Sequence, residues 1–224
     1  MHQLVLIAGI VDLGRINGFR VEAIEKPSRL SELEQEILVR DLNTISVDAF
    51  NKPTPLEETR ERTVGVDTIF LIKSGTEVVG YTTNDRMTLD NHAVNYFSSA
   101  LFKRKVQQEG LYQKVNDLRV EFQPSDNIMT RTQNPLVVQG FRSLCQRHGF
   151  LIHPDSANST PEPIIRIARA YAPLAGEDLI CRGVYGRALM DETPVPRENV
   201  RELFQRMNIP QGDAVILIGT KYIH

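Results

Sequence analysis

Between residues 67 and 152 the hydrophobic period of this chain switches repeatedly between two and 3.6, and that order limits the folds open to it. Residues 67–72 (DTIFLI) and 78–83 (VVGYTT) are β-rich runs. The turn joining them contains Gly75, which adopts a positive φ without strain. Residues 93–102 (AVNYFSSALF) read as a further strand. Leu111, Val115, Leu118 and Phe122 recur at i, i+4, i+7 and i+11, the apolar face of a helix. Residues 127–130 suit a short strand. The stripe Val137, Val138, Phe141, Leu144 and Cys145 then predicts a helix over 134–148, closed by Gly149 as C-cap glycine. Residues 150–152 form the next strand. Strands and helices mixed in this order predict an α/β domain whose sheet is flanked by helices.

The flanking segments extend the pattern. Residues 4–11 (LVLIAGIV) read as a buried strand or pairing segment, broken by Gly14 and Gly18. Residues 19–24 (FRVEAI) alternate as a half-buried strand. Ser31 and Glu34 make a capping box that starts a helix running from about Leu30 to about Asn43, with Leu33, Ile37 and Leu38 on its apolar face. Residues 51–62 suit a loop or short surface helix. After Pro154, residues 155–163 (DSANSTPEP) form a polar connector. A helix over 164–171, an extended run over 179–189 and a helix over 196–207 follow, the last with Val200, Leu203, Phe204 and Met207 as its buried stripe. Residues 214–220 (AVILIGT) are short enough for a buried strand.

Composition narrows the function classes. The 224 residues are 41% apolar and 24% charged, ordinary for a globular protein with a sizeable core. A net charge of -2 provides no broad attraction to nucleic acid or anionic lipid, so neither is expected as a partner. The two cysteines, Cys145 and Cys181, form neither a disulfide framework nor a zinc pattern. His148 and His153 lack a third ligand at metal spacing, and no metal is expected. The apolar run at residues 4–11 is far shorter than a membrane span and lacks a basic leader, which makes the cytoplasm the expected compartment.

The motif with chemistry in it is residues 107–112, QQEGLY, placed after a strand and before an amphipathic helix. A helix begins with unpaired amide protons at the positive end of its dipole, and a glycine there lets the backbone approach a diphosphate. Lys103, Arg104 and Lys105 just upstream add positive charge. The same arrangement, with Asn134 before the second helix and Gly149-Phe150 after it, resembles the GNAT superfamily (the acyl-CoA N-acyltransferase fold) over roughly residues 19–152. Its signature at this turn is Gln or Arg, two residues, Gly, one residue, then Gly or Ala. Gln107 and Gly110 match, and Tyr112 replaces the final small residue.

The resemblance implies a mostly antiparallel sheet whose fourth and fifth strands splay apart. It implies that Gln107, Gln108, Glu109, Gly110, Leu111 and Tyr112 hold the diphosphate of an acyl-CoA. It places Ala100 and Phe102 beside the pantetheine, with Asn134 contacting that arm or ordering its loop. Asn134 before Pro135 is also the expected helix cap in its own right. The family's usual proton-transfer groups are not matched. The helix position that often carries a tyrosine falls on Phe141 or Cys145, and residues 92–99 contain no carboxylate. His92 and Tyr96 are the proton-transfer candidates. The implied activity is transfer of acetyl, or another acyl group, from CoA to a primary amine, small or peptidyl, by direct attack in a ternary complex. The alternative is a non-catalytic acyl-CoA-binding or interaction protein on the same scaffold. Residues 1–154 form the GNAT-like core of this reading. Residues 155–224 form a C-terminal extension that either completes the same domain or builds a homodimer interface.

Overall fold

The computed structural model describes residues 9–107, 109–155 and 159–222. It is a mixed α/β fold with nine strands in one sheet, in the order β1 (Ile10–Ile16), β2 (Phe19–Glu25), β3 (Thr68–Ser74), β4 (Glu77–Leu89), β5 (His92–Phe102), β6 (Asn127–Thr132), β9 (Ala214–Thr220), β7 (Leu151–His153), with β8 (Ile180–Cys181) also on β9. The recorded registers are antiparallel except that of β5 with β6, which is parallel. The chain divides into two compact units, Met1–Asp85 with Phe97–Val115, and Arg86–Tyr96 with Asn116–His224.

In the first unit, β3 is buried over Thr68–Lys73 because both sheet faces are covered. Ile69 and Leu71 face α1 (Glu32–Phe50) through Leu38, Leu42 and Ile45. Ile72, on the opposite face, packs with Val79, Phe102, Val106, Leu111 and Val115. The capping box of Ser31 and Glu34 forms as expected, with the Ser31 hydroxyl accepting from the Glu34 amide. Helix α1 runs past Asn43 because Ile45 and Ser46 keep its stripe buried, and it stops at Asn51, which takes the left-handed conformation with φ 55°. Leu33 is 68% exposed and does not belong to that stripe. Residues 51–62 contain α2 (Leu56–Thr63). Strand β1 covers residues 10–16, and residues 4–8 of the expected first strand lie outside the described residues. Asn17 and Gly18, both at positive φ, make the two-residue turn from β1 to β2.

In the second unit, Val94, Tyr96, Met129, Ile216 and Ile218 lie under Ile164, Ile167 and Ala168 of α5 (Glu162–Tyr171). On the other face, α4 (Pro135–His148) buries Val138, Phe141, Leu144 and Cys145. It lies so close to β9 that a Cβ on Gly219 would stand 2.7 Å from Cys145 Sγ. Strand β9 is fully buried between β6 and β7. The expected extended run over 179–189 is reduced to the two residues of β8, because Gly183 and Gly186 turn the chain at positive φ. The last helix, α6 (Glu198–Gln205), is shorter than the 196–207 expected but buries Val200, Leu203 and Phe204, while Met207 is buried just beyond it.

Candidate acyl-CoA site

The turn at 107–110 belongs to the first unit. Strand β5 ends at Phe102 and a 3-10 turn, Arg104–Val106, follows. Gln107 then folds back, its Nε2 donating to the Phe102 carbonyl at 3.0 Å. Gln108 lies outside the described residues. The Glu109 carbonyl accepts from Asn17 Nδ2 at 2.7 Å, so the tip of the β1–β2 hairpin holds the turn from outside. Gly110 has φ 68°, and a Cβ there would meet nothing nearer than Asn17 Nδ2 at 3.8 Å. Helix α3 (Leu111–Phe122) starts at the next residue and has no acidic residue in its first turn, which leaves the positive end of its dipole uncompensated by its own side chains. Leu111 is 3% exposed and anchors the helix start in the apolar cluster. Tyr112 packs against that same cluster, beside Ile16 and Phe19.

The basic run just before the turn is engaged. Lys103 and Lys105 both donate to Glu77, at 2.9 and 2.6 Å. Those two bonds hold the Glu77 carboxyl below its ordinary range. The Arg104 amide donates to Asp48 at 2.6 Å. Arg104 Nε also lies 3.7 Å from Asp48 Oδ1, so all three basic side chains have protein partners. Phe102 is buried over Gly80, where a Cβ would come within 2.6 Å of its ring, and Ala100 is half-buried on the same strand.

Asp85, also in the first unit, was not found by reading β5 alone. Burial pushes its carboxyl up, against lowering contacts from Ser98 on β5 and from the Asp67 amide. The neighbouring strand thus brings β5 the carboxylate that residues 92–99 lack. Strand alternation around Thr83 and Ser98, whose hydroxyls lie 2.9 Å apart, is the signal that could have found it.

In the second unit, Tyr96 is 6% exposed and its Oη accepts from Tyr171 Oη at 2.6 Å. Burial first, then Tyr171 and Tyr185, hold the Tyr96 hydroxyl well above its ordinary range. It stays protonated near neutral pH and can orient water or donate a hydrogen bond. His92 is half-buried at the start of β5. Asn134 caps α4, with Oδ1 accepting from the Leu136 amide at 2.9 Å and Nδ2 reaching Met190 Sδ at 3.6 Å. Phe141 and Cys145 are both 0% exposed, and burial raises the Cys145 thiol to about 12, so neither is a proton donor to a thiolate. Tyr171 and Arg131, which gather at Tyr96, carry no sequence motif.

The parallel pairing of β5 with β6 covers Val94–Tyr96 against Asn127–Met129 and no more. Strand β6 keeps its register with β9 from Asn127 to Thr132, so Thr130–Thr132 continue on β9 beyond the recorded β5 pairing. With the helix–strand order around it, this is the splayed fourth and fifth strand pair that the resemblance implies, since β1 precedes the first core strand. The sheet topology agrees with the GNAT-like expectation. Neither a protein-family model nor a curated protein matches the chain. Solved structures of low similarity include the ribosomal-protein-S18-alanine N-acetyltransferase from Escherichia coli, 10% identical with a TM-score of 0.49, covering 91% of this chain and 96% of that one. The diaminobutyrate acetyltransferase from Paenibacillus lautus, in complex with its substrate and coenzyme A, is 9% identical with a TM-score of 0.48, covering 92% and 99%. An acetyltransferase from Thermus thermophilus is 18% identical with a TM-score of 0.42, covering 61% and 90%. No group of three or more His, Cys, Asp or Glu among the described residues could hold a metal. No described helix is long and apolar enough to cross a membrane.

Proposed function

We propose that this protein is an acyl-CoA-dependent N-acyltransferase that moves acetyl, or another acyl group, from CoA to a primary amine. The observation that carries this reading is the turn between β5 and α3. It combines a left-handed Gly110 with open space around it, a helix start without acid, and a brace from Asn17. These features suit a diphosphate, whose charge is met by backbone amides. Tyr112 is compatible with this role because it packs into the apolar cluster. Ala100 and Phe102 on β5 are proposed to flank the pantetheine, and Asn134 to order its own loop through the cap it makes.

In the proposed reaction the neutral amine attacks the thioester carbonyl carbon. The carbon–sulfur bond breaks, and the amine's proton passes to water held by Tyr96 or His92. The CoA thiolate leaves and takes up a proton, so the products are an amide and free CoA. Preorganised donors at the carbonyl oxygen would carry most of the barrier lowering. Backbone amides near Phe102 are the proposed donors, and the Lys103 amide is not among them because it is bonded to Val79 O at 2.8 Å.

Incubating the protein with acetyl-CoA and a panel of primary amines, and following thiol release, tests the reading. Release that depends on both substrates is the expected result. Tight CoA binding without release from any amine would favour the rival, a non-catalytic acyl-CoA-binding protein. The buried positions Phe141, which has no acidic proton, and Cys145, whose thiol burial makes a weaker acid, favour that rival. Failure of CoA to raise the melting temperature would sink both.

A further inference from the structure

One polar cluster in the second unit is not absorbed by the coenzyme site. Arg131 follows Met129 by two residues on β6, which puts the two on the same sheet face. Its guanidinium carbon lies 5.3 Å from the Tyr171 ring centroid and 4.8 Å from that of Tyr185. Its Nε donates to Tyr185 Oη at 3.1 Å. Tyr171 in turn bonds Tyr96, and those two rings lie 4.9 Å apart. Arg131 is therefore fixed at one edge and over its plane, while its two terminal nitrogens have no partner among the described residues. Arg131 as a whole is half-buried.

The charge balance is unusual. A guanidinium stays protonated, and a half-buried one is expected to have a carboxylate nearby. Among the described residues no carboxylate pairs with Arg131, and the groups acting on it include Tyr185, Tyr96, Tyr171 and the Cys181 thiol. The surrounding hydroxyls have hydrogens to give. The Tyr96–Tyr171 pair uses one of its two hydrogens in their mutual bond, and Tyr185 accepts from Arg131 and keeps its own. The cluster thus presents a planar fork and two hydroxyl hydrogens, those of Tyr96 and Tyr185, with no carboxylate of its own among the described residues.

The loop that carries Tyr185 is held in place. Gln133 clamps it through Arg187 O at 3.2 Å and the Leu189 amide at 2.9 Å. Asp213 accepts from the Gly183 amide at 2.8 Å. Gly212, at φ 90°, lets the backbone pass so near Gly186 that a Cβ would stand 2.2 Å from its nitrogen. These contacts preorganise Tyr185, and through it Arg131.

We propose that Arg131, set by Tyr171 and Tyr185, binds the carboxylate of the acceptor, so that the acceptor is an amine that also carries a free carboxylate, an amino acid or similar zwitterion. This proposal rests on the acyltransferase reading for the amine's role, and on the cluster itself for the carboxylate. A guanidinium fork matches the two oxygens of a carboxylate, as an ammonium would not. A single fork without a second cation suits a monoanion better than a diphosphate.

The test uses paired acceptors that differ only in the carboxylate: glycine and glycinamide, β-alanine and β-alaninamide, 4-aminobutyrate and its amide, L-lysine and L-lysinamide. Thiol release from acetyl-CoA gives kcat/KM for each. Binding of the same acids is measured in parallel by calorimetry in the presence of CoA, on the full chain and on Arg131→Gln and Arg131→Lys. Wild-type protein is expected to prefer at least one acid over its amide by about tenfold or more, the scale of a charge-assisted hydrogen bond. In Arg131→Gln that ratio should collapse toward one, with Arg131→Lys in between. Melting temperatures show whether each variant is folded, and the wild-type ratio needs no variant. Equal transfer to acids and amides would overturn the carboxylate site while leaving the acyltransferase reading intact. Acid binding that needs Arg131 but leads to no transfer would keep the site and remove the transferase. Neither acid binding nor acid preference would overturn the proposal.

Discussion

At the scale of single residues, Gly110 is the position on which the coenzyme reading depends most. Its place between a strand and an amphipathic helix was legible in the sequence, because glycine at such a switch has few other uses. What Tyr112 does was not legible, since the same letter could cover a diphosphate or leave it open. In the fold it packs against the cluster of Phe102, Val106 and Leu111. Asn17 and Tyr171 left no local trace because their partners, Glu109 and Tyr96, lie 92 and 75 residues away. Gly110→Ala isolates the turn. The added Cβ clashes with nothing, so the effect is the left-handed strain of an L-residue, about 1–2 kcal/mol of stability. Relaxing that strain rotates the amides that face the ligand. The dissociation constant for CoA is expected to rise about tenfold by calorimetry, the size of one lost charge-assisted hydrogen bond. A variant with a lower melting temperature and unchanged CoA affinity would remove the turn from the binding site.

At the scale of elements, period and caps predicted most of what forms. Helix α4 lies where its stripe puts it, with Asn134 and Gly149 as its cap residues. Helix α3 spans the residues expected, but it buries Asn116, Arg119 and Val120 beside Leu111 and Val115, while Leu118 and Phe122 are only half-buried. The errors fall where burial is partial or long-range. The second half of β4, Asp85–Leu89, alternates half-buried and exposed residues, and the Asp90-Asn91 turn at positive φ lacks glycine. Strand β9 was recognisable as apolar, but only its register shows it inserted between β6 and β7. That insertion has a consequence at Gly219, where a Cβ would stand 2.7 Å from Cys145 Sγ and 2.9 Å from Ile128 Cγ1. Gly219→Ala is expected to destabilise by about 1–3 kcal/mol through overpacking. Removing the nearest obstacle with Cys145→Ala should recover part of that loss, so the double variant is more stable than the sum of the single losses predicts. Urea unfolding of all four proteins gives the coupling. Strict additivity would mean that α4 does not press on β9 at this point.

For the whole molecule, the response to acid follows from a few buried or paired groups. Burial lowers the pKa of His153 from its ordinary 6.5, with Asp155 opposing the shift. The unfolded chain therefore takes up a proton where the folded chain does not, and stability falls as pH drops through 6.5 toward the folded value. The lysines bonded to Glu77 lower its pKa below 4.5. Burial alone would raise Asp213, but the Asn208 and Gly183 amides and Arg182 outweigh it and hold the carboxyl below 3.8. Those two carboxylates stabilise the fold above their unfolded values and lose that contribution as pH falls through their folded ones. Asp85 works in the opposite direction. Burial raises it, so its protonation offsets part of the loss as pH falls from its raised value toward 3.8. Two separate acid limbs are expected, a histidine limb that begins near neutrality and a carboxylate limb below 4.5. His153→Gln should flatten the first and leave the second, because Glu77 and Asp213 are untouched. Melting temperatures between about pH 7.5 and about pH 3 read both limbs in one series. A variant whose profile follows the wild type through the neutral range would show that His153 charges as easily in the fold as in the unfolded chain.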